Sequence, residues 1–364
     1  MKILVFLHHP AHFYLFRNII HNLKLNGHTL TLLATNKDIL EILMEKEGLS
    51  YINVLPDGRK NNKFAIALGL FKQDYRLFRT CLRHNPDLLL GTSTEICHIG
   101  WLLNIPNIFI NEDDIGIIPL VGRIAYPYAR HLLLPSCCSA GKWEHKSIKY
   151  SGYHELAYLH PNHFSPSKEV VSRYFNSDEK YFVMRFAKLT AHHDKGVKGI
   201  TARIAEEVIK ILEPHGNVYI TSEHKLESQF EKYRMAINPL DIHHIMAFAQ
   251  LYIGDSQTMA AEAGVLGTPF VRFNDFVGRI GYLADLEDKY KLGFGIKTNE
   301  EGKLYSIIKS LISTPDLKKE WQIRRQKMLS EKIDVTAFLT WFIENYPQSV
   351  AIMKENPDYQ YNFK

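Results

Sequence analysis

The chain has 364 residues, 46% of them hydrophobic and 23% charged, with a net charge of +5. That length is too great for one small core and suits two domains of ordinary size, and the composition excludes a disordered or low-complexity chain. No apolar run is long enough to span a bilayer, and the modest positive charge comes with no nucleic-acid-binding motif.

Six short apolar runs alternate with longer amphipathic stretches through residues 1–150. The first, "KILVFLHH", has an apolar core from Ile3 to Leu7 and no cleavage site, which predicts a β-strand and not a signal peptide. "HTLTLLAT", "YINVLP", "DLLLGT", "NIFINED" and "HLLLPS" predict further buried strands, with helices between several of them, as at His12–Asn26 and Lys37–Gly48. Between the third and fourth strands lies "GRKNNKFAIALGLFKQDYRLFRTCLRH". There Arg59, Lys60, Lys63, Lys72, Arg76, Arg79 and Arg83 alternate with Phe64, Ile66, Leu70, Phe71, Leu77 and Phe78. Such a segment either lays one face on a core and solvates the other, or makes a peripheral membrane contact through 59–84. The four cysteines, Cys81, Cys97, Cys137 and Cys138, form no C-x-x-C pair, which predicts a reduced, cytoplasmic protein without a zinc knuckle.

The pattern restarts after a polar, proline-marked junction at 151–180. "YFVMRFA", "NVYITSE", "LYIGD", "PFVRF" and "FGIKT" predict strands, separated by helices such as Thr201–Leu212 and Met259–Leu266. A helical tail runs from Asp316 and is interrupted by Pro347. Strands alternating with helices give parallel sheets, so the expectation is an α/β chain of two Rossmann-like doubly wound domains facing a central cleft. Ligands of such sheets bind outside the carboxyl ends of the strands.

Polar residues at those ends are therefore the candidates. "FLHHPAHF" offers His9 and His12 as a general base or acceptor ligand; the alternative is one histidine capping the helix and the others in solvent. His8 and His12 have i, i+4 spacing, but Pro10 lies between them and the glutamate of H-E-x-x-H is missing, so no metal is expected. "NIFINEDD" delivers Glu112, Asp113 and Asp114, whose mutual repulsion should raise at least one pKa. "MRFAKLTAHHDKG" supplies Arg185, Lys188 and Lys195 for phosphate, and "ITSEH" supplies Ser222 and Glu223 for a base or acceptor.

In "YIGDSQTMAAEAGVLGTPFV" a strand ends at Asp255, and Ser256 or Gln257 caps a helix that begins near Thr258. The free N–H groups of its first turn suit a diphosphate. Glu262 lies one turn beyond Thr258 on the same side, placed either to clamp a ribose diol or on a solvent face.

This segment resembles the donor-site segment of GT-B-fold enzymes, in particular the non-hydrolysing UDP-GlcNAc 2-epimerases. There a D-S-G-G-x-x-E-E-A run binds diphosphate through its serine and small residues, and the glutamate six positions after the serine holds the ribose. Ser256 and Glu262 have that spacing, while Gln257 and Thr258 replace the glycines. "PLDIHHIMAFAQLYIGDS", with His243, is similar to the family's approach to this site, and His192 or His193 matches an epimerase histidine. "NEDDIGIIPLVGRIAYPYARHLLLP" and "IKYSGYHELAYLHPNHFSP" resemble a narrower group, the domain-of-unknown-function 354 proteins.

The resemblance implies a GT-B-like fold, with an acceptor domain at 1–160, a nucleotide-sugar donor domain at 161–340 and a tail at 341–364 packing back on the first. It implies a cytoplasmic glycosyltransferase, needing no cofactor, that moves a sugar from a nucleoside diphosphate sugar, UDP foremost. The acceptor is a glycan or a lipid-linked sugar of surface polysaccharide synthesis. His9, His12, Glu112 and Asp113 are its catalytic candidates; Arg185, His193, Ser222, His243, Asp255, Ser256, Gln257, Thr258 and Glu262 are its donor ligands. The alternatives are a UDP-sugar 2-epimerase or hydrolase and a non-catalytic sugar-nucleotide-binding protein. Against the epimerase, the fourth strand ends "GTSTE", where those enzymes carry an aspartate.

Overall fold

Strand β1 (Lys2–Leu7), buried from Ile3 to Leu7, pairs in parallel with β2 (Thr29–Thr35) on one side and β4 (Leu88–Gly91) on the other. With β3 (Ile52–Leu55), β5 (Asn107–Ile110), β6 (His131–Pro135) and β7 (Ser147–Tyr150) it forms a parallel sheet in the order β3-β2-β1-β4-β5-β6-β7. The computed structural model describes residues 1–36, 39–56, 63–176, 179–186, 199–222 and 225–364, for 63–68 the backbone alone. Parallel strands need crossovers, supplied by α1 (Pro10–Leu25), α2 (Leu40–Lys46), α3 (Lys63–His84), α4 (Thr94–Leu103) and α5 (Pro119–Ile124). A one-turn α6 (Leu156–Leu159) follows β7.

The strand runs expected from sequence correspond to β1–β6, but β7 was not foreseen. It is a four-residue edge strand in which only Ile148 and Tyr150 are buried, too short and too polar to stand out as an apolar run.

The second sheet contains β8 (Tyr181–Arg185), β9 (Asn217–Thr221), β10 (Tyr252–Gly254), β11 (Phe270–Phe273) and β12 (Gly293–Ile296), parallel throughout, in the order β12-β11-β10-β8-β9. Its helices are α7 (Lys168–Val171), α8 (Ala202–Leu212), α9 (Ile242–Phe248), α10 (Gln257–Leu266), α11 (Gly281–Ala284), α12 (Glu301–Ile312) and α13 (Leu317–Glu331). The chain ends with α14 (Val335–Glu344) and α15 (Gln348–Glu355).

Two units result: Met1–His163 with Lys332–Lys364, and Phe164–Glu331. The second ends at Glu331, short of the expected 340, because α14 belongs to the first. Thr336 Oγ1 donates to the Ala157 carbonyl at 2.5 Å, Asn22 Nδ2 on α1 donates to Thr340 Oγ1 at 3.4 Å, and Asn26 Nδ2 donates to Glu344 at 2.7 Å. Asp334 caps α14 through the Ala337 N–H and also accepts from His163 Nε2 at 2.8 Å. The local signal for this boundary is Asp334 itself, an N-cap residue just before an apolar run.

Each strand order reverses once. In the first sheet the reversal lies between β1 and β4, in the second between β8 and β10. Crevices at such switch points are where doubly wound sheets bind ligands.

Candidate functional site

In the second unit the switch point carries Arg185 at the end of β8 and the turn Gly254–Ser256 at the end of β10. The Asp255 N–H donates to the Arg185 carbonyl at 3.2 Å. A Cβ on Gly254 would come within 2.5 Å of the Tyr252 hydroxyl and 2.7 Å of the Arg185 carbonyl oxygen, so only glycine lets the turn pass this close. Ser256, not Gln257, caps α10, its Oγ accepting from the Met259 N–H at 3.4 Å. Gly267, at φ +75°, ends the helix in the left-handed conformation. Asp255, Ser256, Gln257 and Thr258 are half-buried around the N-terminus, and Ser222 directly follows β9, the neighbour of β8.

Glu262 does not lie on a solvent face. It is 5% exposed, and its Oε1 accepts from His243 Nε2, in the first turn of α9, at 2.9 Å. That contact orients the carboxylate one turn beneath the helix N-terminus.

A second network holds the turn from behind. Arg272, fully buried, donates to both oxygens of Glu287, from Nε at 2.9 Å and from Nη2 at 3.1 Å. Its Nη1 donates to Asn274 Oδ1 at 3.1 Å, which also accepts from the Phe276 N–H at 3.0 Å. Both donors fix the amide so that Nδ2 faces the Asp255 carbonyl, at 3.0 Å. Sequence reasoning missed Arg272, Asn274 and Glu287. "PFVRF" has the pattern of a buried strand, and an arginine inside it, one residue before its end, was the available signal.

In the first unit His9 is the N-cap of α1, its Nδ1 accepting from the Ala11 N–H at 3.1 Å, so that nitrogen is committed to the helix. His12 Nδ1 accepts from the His8 N–H at 3.2 Å and lies 2.6 Å from Thr92 Oγ1 at the end of β4. Because an amide can only donate, the neutral ring keeps its own proton on Nε2. The Thr92 hydroxyl stands within hydrogen-bond distance of both ring nitrogens, 2.6 Å from Nδ1 and 2.9 Å from Nε2.

Glu112 and Asp113 follow β5. Burial raises the Glu112 carboxyl well above its ordinary range, with Glu155 and then Asp113 adding to the effect. The expected repulsion between neighbouring acids is thus present, but second to burial. Asp113 is also raised, by burial and then Asp114, whereas Asp114 braces a turn by accepting from the Ser139 N–H at 2.8 Å. Glu112 Oε2 accepts from the His154 N–H at 3.2 Å and lies 3.4 Å from His154 Nδ1. Burial pushes that imidazole down to about 3, so the ring is neutral and the contact is not an ion pair. His154 and Glu155, both buried in the segment after β7, were not named from sequence.

His193, expected among the donor ligands, lies outside the described residues, as do Arg59, Lys60, Lys188, His192, Lys195 and Glu223. Among the described residues no three His, Cys, Asp or Glu side chains group as a metal site needs.

A family model described as protein of unknown function, DUF354, matches residues 1–278. The chain belongs to the DUF354 family. No curated protein sequence matches this DUF354 member. Solved structures share its fold. The UDP-GlcNAc 2-epimerase from Neisseria meningitidis bound to UDP-GlcNAc is 15% identical over 95% of this chain and 100% of that one, at a TM-score of 0.63. The UDP-GlcNAc 2-epimerase from Methanocaldococcus jannaschii is 13% identical over 90% and 99%, at 0.62. A spinosyn rhamnosyltransferase is 12% identical over 95% and 100%, at 0.60. At these identities the likeness gives the DUF354 chain a GT-B-like fold of two Rossmann-like domains, common to glycosyltransferases and epimerases.

Proposed function

We propose that this chain is a GT-B-type glycosyltransferase that moves a sugar from a nucleoside diphosphate sugar, UDP foremost, to a glycan or lipid-linked acceptor on the inner face of a membrane. The observation that carries the donor assignment is the buried Glu262–His243 pair beneath the Ser256-capped N-terminus of α10. A diphosphate on the N–H groups of that first turn places the attached ribose toward Glu262, whose carboxylate takes the diol. Arg185, Asp255, Gln257 and Thr258 border the same turn, and Ser222, just after β9, and His193 are the further donor ligands we propose.

In the transfer, the acceptor oxygen bonds to the anomeric carbon as the bond from that carbon to the diphosphate oxygen breaks. The positive end of α10 stabilises the departing diphosphate, and no step needs a metal. The proton acceptors we propose for the acceptor hydroxyl are residues of the first unit, Thr92 with His12 and the neighbouring Glu112 and Asp113. His9 supports this group by capping α1.

A second reading, a UDP-sugar 2-epimerase, is favoured by the raised carboxyl of Glu112, a group suited to move a proton at carbon. Against it, β4 is followed by Thr92 and Ser93, neither of which is a base of sufficient strength. Two measurements separate the readings. Thermal midpoints against a panel of nucleoside diphosphate sugars should rise for the true donor; no rise for any of them sinks both. The stabilising donor is then held in heavy water without acceptor. Deuterium at the sugar C2 selects the epimerase, and turnover that requires an added acceptor selects the transferase.

A further inference from the structure

At the C-terminal end of α4 the first unit opens an apolar pocket of about 460 Å³. Its walls are Phe71, Tyr75 and Phe78 of α3, Trp101 and Leu102 of α4, and Tyr128. All of these but the half-buried Phe78 are exposed: Phe71 is 69% exposed and Trp101 64% exposed. A cluster of large apolar side chains left in water marks a surface that meets something else.

The charges around it say what. Lys72 and Arg79 stand one turn before and one turn after Tyr75 on α3, with Arg83 a further turn along, and all three are exposed. The one acid in the pocket, Asp74, is held by His98 Nδ1 at 3.1 Å. The rim is therefore positive and the centre aromatic. Tyrosine and tryptophan rings favour the boundary between headgroups and acyl chains, and lysine and arginine favour anionic headgroups. A second copy of the chain fits less well, because a two-fold contact would set the basic rim against itself. No helix among the described residues is long and apolar enough to cross a membrane, so the contact is with a surface.

We propose that this aromatic pocket and its basic rim seat the first unit on an anionic lipid bilayer. The site is broader than the basic helix face expected from sequence, since α4 and Tyr128 supply three of its six wall residues. It stands independently of the transferase reading, because vesicle binding needs neither donor nor turnover.

The test is flotation of the full chain with phosphatidylcholine vesicles, alone and with about a third phosphatidylglycerol. The expected result is binding to the anionic vesicles that weakens in high salt. The pair Lys72→Glu, Arg79→Glu and the pair Tyr75→Ser, Trp101→Ser should each lower the bound fraction by about fivefold or more. Circular dichroism and melting curves confirm that the variants fold, and Leu102→Ser replaces any pair that does not. Absence of flotation with either vesicle overturns the proposal, as does flotation that neither pair weakens. Light scattering that shows a dimer dissociated by the aromatic pair, with no vesicle binding, assigns the face to a second copy instead.

Discussion

Glu262 Oε1 and His243 Nε2 meet at 2.9 Å with both side chains buried, which makes the carboxylate a positioned group and not a mobile one. Glu262→Ala should weaken UDP binding by about 1–3 kcal/mol, the cost of a charge-assisted hydrogen bond lost from a site. His243→Ala should weaken it too, because the remaining carboxylate is no longer held. Calorimetry with UDP gives both values; unchanged affinity in Glu262→Ala would remove the ribose from this carboxylate.

Asn274 separates support from scaffolding. Asn274→Asp keeps an acceptor for Arg272 and the Phe276 N–H but sets a carboxylate oxygen against the Asp255 carbonyl where a donor stood. The turn before Ser256 should then shift, and UDP affinity should fall by roughly tenfold while the melting midpoint stays near wild type. Equal affinity in the two proteins would mean that the network serves the fold alone.

Glu112 should show opposite effects on activity and stability. Its folded pKa lies above the ordinary carboxylate value, so the stabilisation tied to its proton is complete below about pH 4.5 and is lost as pH rises through the folded value. Glu112→Gln stays neutral throughout. Its melting midpoint should gain on wild type between about pH 5 and about pH 9, while turnover falls by about 10²–10⁴. A gap that does not widen with pH would show that the carboxyl is not raised.

His98 supplies a second pH dependence of the same sign, away from the candidate site. A hydrogen bond to Asp74 raises its pKa, burial opposes the shift, and the Ile124 carbonyl at 2.8 Å takes the second N–H. The stabilisation is complete below about pH 6.5 and is lost as pH rises through the raised value. The melting midpoint of His98→Gln should therefore lag wild type most near about pH 6 and least near about pH 9. A constant lag would reduce the ring to packing.

What could be read from sequence followed burial. β4 and β5 are buried at every position and appear as "LLLG" and "NIFI", so the parallel sheets were legible, while the GT-B-like class came from the resemblance carried by the Ser256–Glu262 segment. The turn at Asp255–Ser256 was legible because small residues and one acid surround a cap. Glu262 with His243 was not, since nothing in the spacing of nineteen residues makes the two meet. His154 and Glu155 were hidden because the strand before them is a short edge strand, and the Arg272–Asn274–Glu287 network because its members share no periodicity.

The first unit is divided in the chain: residues 1–163 need 332–364 to cover α1, and 164–331 come between. During synthesis, Phe164–Glu331 has all of its strands in hand while Asn22 and Asn26 still await Thr340 and Glu344. The unit begun first is thus the one completed last. Ribosome-bound chains arrested near Glu331 should protect the second sheet from protease before the first, an inversion of the usual order from the N-terminus. Until α14 emerges, the uncovered side of α1 is the surface that a chaperone would find.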